Sequence, residues 1–268
     1  MVRKINGRGM IVLAAALLGL VLGASEVQSA DWLNLRQKIS ARNIRFEKEV
    51  RDMTVLQEVK TATLQGEVAS EIKMFKKGKK LRIETALPFS GIPEGMGGMK
   101  TIIIFDGKDS WMISPFMGKQ KIPGSEEEQS RQVNWSGWLP KKAKVIGVEK
   151  IGKRKCYVIE TEGKEKVVFT RTWIDQKSLN LIKAENKSPG VGTTVYLFSD
   201  FRKIKGNLEM PYRTEMYRDD ELISTSLTKS LKVNTGPSDK LFNPDEVKVE
   251  GSNAQMQEMI RKAMEQRK

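Results

Sequence analysis

Residues able to do chemistry are few in this chain. There is no His, so Ser-His-Asp and Cys-His pairs, a His general base and a His metal ligand are all excluded. The single Cys, Cys156, cannot make an internal disulfide, a redox pair or a thiolate zinc site. It sits beside Tyr157 and Val158 in a predicted strand and reads as a small buried hydrophobe. Two acidic clusters stand out, Glu126-Glu127-Glu128 and Asp219-Asp220-Glu221. Adjacent carboxylates do not converge on one cation without a dedicated loop, so both read as solvated turns. Asp175 and Asp200 fall at strand ends, where turn chemistry accounts for them. The basic clusters at Lys76–Lys80 and around 150–155 lack interleaved aromatics and read as solvated faces, or as a patch for an anionic membrane surface or an acidic partner. General acid–base work would rest on Asp, Glu, Lys or Tyr alone, which argues against an enzyme. No catalytic residue, cofactor or metal ligand is assigned.

The rest of the 268 residues must therefore explain the protein by shape and surface. With 47 Lys and Arg against 33 Asp and Glu, the formal net charge is +14. Hydrophobic residues make up 39%, which suits a globular domain with a real core. Residues 1–30 have the layout of a secretory signal peptide: Arg3, Lys4 and Arg8, then an apolar run from Met10 to Gly23, then Val27-Gln28-Ser29-Ala30. Cleavage is expected after Ser29 or Ala30, leaving residues 31–268 as one periplasmic domain. Export argues against nucleic acid as a partner. It leaves anionic lipid, polysaccharide or an acidic protein face for the positive charge.

Trp32, Leu35, Ile39, Phe46 and Val50 recur at helical spacing, predicting a helix over 31–50 with Asp31 as N-cap. From about residue 52 the period becomes two. Val68, Ile72 and Met74 share a face, the Lys77-Gly78-Lys79 turn follows, and Leu81, Ile83 and Thr85 alternate with Arg82 and Glu84. Residues 101–105 are apolar on both faces and predict a central or doubly covered strand. Further strands joined by short polar turns continue to residue 232. About ten antiparallel strands with a helix at each end describe an α+β fold built on one large curved antiparallel sheet, an incomplete β-barrel. The C-terminal helix is expected over 252–268, where Met256, Met259, Ile260, Ala263 and Met264 form an apolar stripe. Two connections, 88–99 and 123–142, are rich in Gly, Met and Trp and fit either lids over an opening or plugs of core.

Four segments, in this order and spacing, resemble the LolA-type family of outer-membrane lipoprotein-sorting and lipid-carrier proteins. They are Met74 to Glu84, Phe105 to Met112, Thr172 to Lys183, and Phe198-Ser199-Asp200-Phe201 with Gly206 and Met210-Pro211-Tyr212-Arg213. The resemblance implies a curved, incomplete barrel closed by helices, with an apolar cavity for acyl chains of lipoprotein or lipid. It implies an exported carrier. The alternative is a non-enzymatic envelope sensor or scaffold of the same fold, bound to an envelope protein partner. For the carrier, the expected wall and lids are Ile83, Phe89, Ile92, Met96, Met99, Ile102, Ile104, Trp111, Trp135, Trp138 and Phe198. Alternation alone does not say which of these share the cavity face.

Overall fold

The computed structural model describes residues 13–64, 66–87, 99–115, 117–123, 139–162, 168–188, 190 and 192–247, with backbone alone at 13–30, 87 and 99. The expected C-terminal helix and most of both apolar loops lie outside the described residues.

One helix leads into a single sheet. The helix is α1 (Leu13–Glu49). The strands are β1 (Asp52–Thr63), β2 (Gly66–Lys77), β3 (Lys80–Leu87), β4 (Met99–Phe105), β5 (Ser110–Ser114), β6 (Gly118–Ile122), β7 (Ala143–Ile151), β8 (Arg154–Thr161), β9 (Arg171–Asp175), β10 (Leu181–Ser188), β11 (Gly192–Lys205), β12 (Leu208–Arg218) and β13 (Glu221–Val233). All 13 strands join in the order β6-β5-β4-β3-β2-β1-β13-β12-β11-β10-β9-β8-β7. Every pairing is antiparallel, as tight turns between neighbours require. The sheet stays open, with β6 and β7 as its edges. Asp219 and Asp220 both adopt positive φ, at 48° and 67°, the geometry of a two-residue hairpin turn.

Trp32, Leu35, Ile39 and Val50 are buried, whereas Leu33 and Ile44 face solvent, so the helical spacing sets the packed stripe. Asp31 lies inside α1 rather than at its N-cap, because the helix begins upstream at Leu13. The strand Gly118–Ile122 escapes a period-two reading because Lys119, Gln120 and Lys121 are all polar. β4 is not central: it is the third strand from the β6 edge. It is apolar on both faces because the chain after β13 crosses its outer side.

We call the two faces of the sheet the helix side and the far side. On the helix side, Trp32, Leu35 and Ile39 of α1 pack on Ala143, Ile159, Ile174, Leu181 and Ala184, with Tyr196 and Phe198 at the margin. Lower on that side, Val50 and Phe46 meet Met53, Val55, Met74, Leu208, Met210 and Leu231. On the far side, Cys156, Val158, Trp173 and Ile182 form a second layer. A C-terminal strap with two short 3-10 helices, Asp239–Phe242 and Pro244–Glu246, covers the far side of β3–β6. There Val247 packs against Ile102, Ile104, Trp111 and Ile113, and Arg82 donates to the Leu241 carbonyl at 2.9 Å.

Candidate functional site

The register builds a row of side chains across six strands on the helix side. Leu231 pairs with Val55, Val55 with Met74, Met74 with Ile83, Ile83 with Ile103, and Ile103 with Met112. Paired residues on adjacent strands share a face, so these six apolar side chains form one continuous strip. Val55 is buried, and the other five are half-buried.

The contrast in charge between the faces is sharp. The helix-side positions run over Met53 to Thr61, Val68 to Lys76, Leu81 to Thr85, Thr101 to Phe105, Leu208 to Met216 and Ser224 to Val233. The charged residue among these is Lys76, and in phase with them lie Arg202 of β11 and Arg218 at the tip of β12. Lys76 sits at the foot of the wall, where burial lowers its pKa and Glu47 of α1 partly offsets the effect. Far-side positions of the same strands carry Glu58, Lys60, Glu71, Lys73, Arg82 and Glu84. A sheet with no cover would be polar on both faces. This one keeps a mostly uncharged face; among the described residues α1 covers it over β7–β11, Phe46 and Val50 cover the foot of β1, β2, β12 and β13, and Ile83, Ile103 and Met112 stay half-buried.

Several buried polar groups fasten the foot of the sheet. The Asp175 carboxylate accepts from the Ser178 backbone N–H at 3.0 Å, the Ser178 hydroxyl at 2.6 Å and Arg154 at 3.2 Å. Arg154 also reaches Glu209, as does the Asn180 amide, and Arg42 of α1 donates to Asn180. Burial lowers the Arg42 pKa, opposed by Glu209. Asp106 accepts from the backbone N–H groups of Lys108 and Asp109, both at 2.8 Å, and from the Trp111 indole at 3.2 Å. Burial raises its pKa, and these bonds outweigh that and bring it below the ordinary value. Asp175 and Asp106 are therefore turn chemistry, whereas Asp200, expected at a strand end, lies inside β11 at a positive φ of 51° and accepts from Arg202. Burial pushes the Cys156 thiol up to about 11, so it is neutral at physiological pH. Among the described residues no cluster of His, Cys, Asp or Glu could hold a metal ion.

The sequence-derived candidates divide. Ile83 and Phe198 lie on the helix side, half-buried. Ile102, Ile104 and Trp111 lie on the far side, under the C-terminal strap. They pair out of phase with Ile83, whose partner is Ile103, so the structure does not bring them into the wall. Met99 opens β4 opposite Leu87. Phe89, Ile92, Met96, Trp135 and Trp138 lie outside the described residues, so the two loops remain candidate lids. Val55, Met74, Ile103, Met112 and Leu231 were not singled out from sequence. Only strand pairing identifies them. A separate polar depression, lined by Glu160, Arg171, Glu185 and Lys187 among others, contains none of the candidates.

Comparison with known proteins gives the fold. No protein family matches the chain by profile, and no curated protein matches it in sequence. Solved structures do match. A DUF1329 family protein from Desulfovibrio piger superposes with a TM-score of 0.61 at 14% identity, over 82% of this chain and 99% of that one. A domain assigned to the outer membrane lipoprotein-sorting proteins, from Vibrio parahaemolyticus, gives 0.59 at 15% identity, over 80% and 96%. A LolA superfamily protein from Nitrosomonas europaea gives 0.53 at 19% identity, over 79% and 98%. The open antiparallel sheet with its helix-side wall is thus a LolA-like fold.

Proposed function

We propose that the protein is an exported, periplasmic, non-enzymatic carrier that holds acyl chains of lipoprotein or lipid against the helix side of the sheet. The observation that carries this reading is the apolar strip from Leu231 to Met112, half-buried at Ile83, Ile103 and Met112, in a sheet whose other face carries Glu58, Lys60, Glu71, Lys73, Arg82 and Glu84. An apolar strip six strands wide matches a hydrocarbon tail. Burying about eight methylenes contributes about 6 kcal/mol before ordering costs, enough for micromolar capture by a preformed site. Met74 and Met112 suit tails of varied shape because a thioether repacks easily. Loops 88–99 and 123–142 are the proposed lids. The basic turns at the foot, with Lys150 directly opposite Lys155, suit an anionic membrane surface.

The test is calorimetric titration of a monoacyl lipid into the mature protein. Ile83→Asp and Met112→Asp should abolish binding in a folded protein, while Lys73→Ser on the far side leaves it unchanged. Equal binding by all three variants rejects the wall. N-terminal sequencing of the exported protein checks the start at Ala30 or Asp31.

A scaffold reading has one observation in its favour. The edge strand β7 exposes Ile146 and Val148, whereas the β6 edge presents Lys119 and Lys121. Exposed apolar side chains on an edge strand, here beside exposed Glu149 and Lys150, suit strand addition by a protein partner. Failure of every lipid to bind, with a stable protein complex lost on Val148→Lys, would favour that reading.

A further inference from the structure

The strands run between two ends that differ in charge. At the foot, the turns joining β7 to β8, β9 to β10 and β11 to β12 are neighbours along the sheet. They and the strand ends beside them present Lys150, Lys153, Lys155, Lys177, Lys203 and Lys205, all exposed. Acids at the same end are engaged within the protein. Asp175 and Glu209 both accept from Arg154, Glu149 accepts from the Trp173 indole at 2.7 Å, and Asp52 accepts from the Thr235 backbone N–H at 2.7 Å. At the top of β12 and β13 acids predominate. Asp219, Asp220 and Glu221 are exposed there, with Arg218 opposite Glu221.

The arrangement at the foot costs the free protein stability. Lys150 stands directly opposite Lys155, a destabilising like-charge pair. The Gln176 backbone N–H donates to the Lys155 carbonyl at 2.9 Å, which holds the Lys177 turn against the same hairpin. Lys205 donates to the Glu49 carbonyl at 2.9 Å, a bond that leaves its charge uncompensated. Neighbouring turns lie two strands apart, about 10 Å, so the cations form a row over six strands and not a pocket around one ion. Among the described residues no large apolar side chain is exposed in these turns. Spread, exposed cations without an apolar anchor fit an extended anionic surface met by charge alone.

We propose that the foot of β7–β12 docks on an anionic phospholipid bilayer, so that the molecule stands with its strands upright and the Asp219-Asp220 tip points away. This rests on the carrier reading for a lipid partner and adds to it the docking face and the orientation. Foot-first docking brings the lysines to phosphate head groups, while the acidic tip, which the same surface repels, stays a strand's length away. A single phosphate would not need six lysines spread over six strands. An acidic protein would call for an apolar centre that these turns lack.

The experiment is co-sedimentation of the mature protein with phosphatidylcholine vesicles, plain or doped with phosphatidylglycerol. Doped vesicles should bind and plain ones should not, and binding should fall steeply once salt brings the screening length below the roughly 10 Å spacing of the cations. Lys150→Gln, Lys153→Gln and Lys155→Gln together should weaken binding at least about tenfold. Lys60→Gln, Lys73→Gln and Lys229→Gln together remove the same charge from the far side and should change it less than about twofold. Thermal melts check that both triple variants fold. Orientation is read in a Cys156→Ala background. A dye at Asn207→Cys, in the β11–β12 turn, should transfer energy to headgroup-labelled lipid far better than one at Asp220→Cys, about 35 Å away along β12. Ile83→Asp should leave vesicle binding unchanged, because the strip takes no part in docking. No binding to doped vesicles at low salt, equal losses in the two triple variants, or equal transfer from the two dyes overturns the docking inference and leaves the carrier reading standing. Loss of vesicle binding in Ile83→Asp also overturns it, because the strip and not the foot would then hold the lipid. The carrier reading fails separately, if a monoacyl lipid in solution does not bind.

Discussion

The two halves of the sheet are written in the same helix-side alphabet but are held differently. Under α1, Ile159, Ile174 and Ala184 are sealed, with exposures of 1%, 0% and 0%. Over β1–β5 the equivalent positions Met74, Ile83, Ile103 and Met112 are equally apolar yet half-buried. That second half is secured from behind instead, where the C-terminal strap presses on Ile104 and Arg82 from the far side. The difference separates two uses of one pattern. Where an element covers the face, apolar residues stabilise the fold. Where no described element does, they stay half-buried, which is what the proposed carrier role would use.

The largest effect should come from testing this directly. Ile174→Ala opens a cavity in the covered half and should cost about 2–5 kcal/mol in chemical denaturation, since its surroundings are fully packed. Ile83→Ala in the uncovered half removes the same side chain for only about 1 kcal/mol, and its main effect should be weaker lipid binding. Equal losses at both positions would mean that the two halves are equally core.

Next in size is the fastening of α1. Arg42→Met keeps the apolar stem but removes the bond to Asn180, which also donates to Glu209. We expect about 1–3 kcal/mol of destabilisation, with loosened packing at Trp32 and Ile39 but no change at Ile104. A loss shared evenly across both halves would contradict separate fastening. Smaller again is Cys156→Ala, on the far side of the covered half. Its thiol is neutral and buried, so the cost is a modest cavity of about 1–2 kcal/mol with ligand binding intact.

The unequal treatment of the halves also shows where sequence reading reaches its limit. The helix stripe of Trp32, Leu35 and Ile39, the hairpin at Gly78 and the open antiparallel sheet were legible, because each is a local period or a local turn. The four family-like segments were legible for the same reason. Register is not local. In Ile102-Ile103-Ile104 every residue is apolar, so alternation cannot say which joins Ile83. The pairing Ile83↔Ile103↔Met112 decides it, and it places Ile102, Ile104 and Trp111 behind the wall. Trp111 drew attention as the larger side chain, yet Met112 faces the helix side. What makes residues 102 and 104 apolar is the strap, more than a hundred residues downstream, which no short window contains.

The mildest test concerns that strap. Hydrogen bonds from Lys77 at 2.7 Å and then Lys80 at 2.9 Å hold the Asp239 carboxyl at about 2, below its ordinary value of 3.8. A carboxyl depressed in the folded state stabilises it at pH above the ordinary value, and the contribution fades as pH falls toward the folded value. Between about pH 4 and 2, therefore, the clamp on Phe242 and Val247 should slacken. All three side chains are substantially exposed, so the effect is small and salt weakens it. Methyl NMR resolves it residue by residue. Resonances of Val247 and Ile104 should shift with acid in the native chain and should be pH-insensitive over that range in Asp239→Asn. Those of Ile159 and Ile174, under α1, should stay still in both. A concerted shift of all four in the native chain would show that the strap and the helix fasten one unit, and the division between the halves would have to be abandoned.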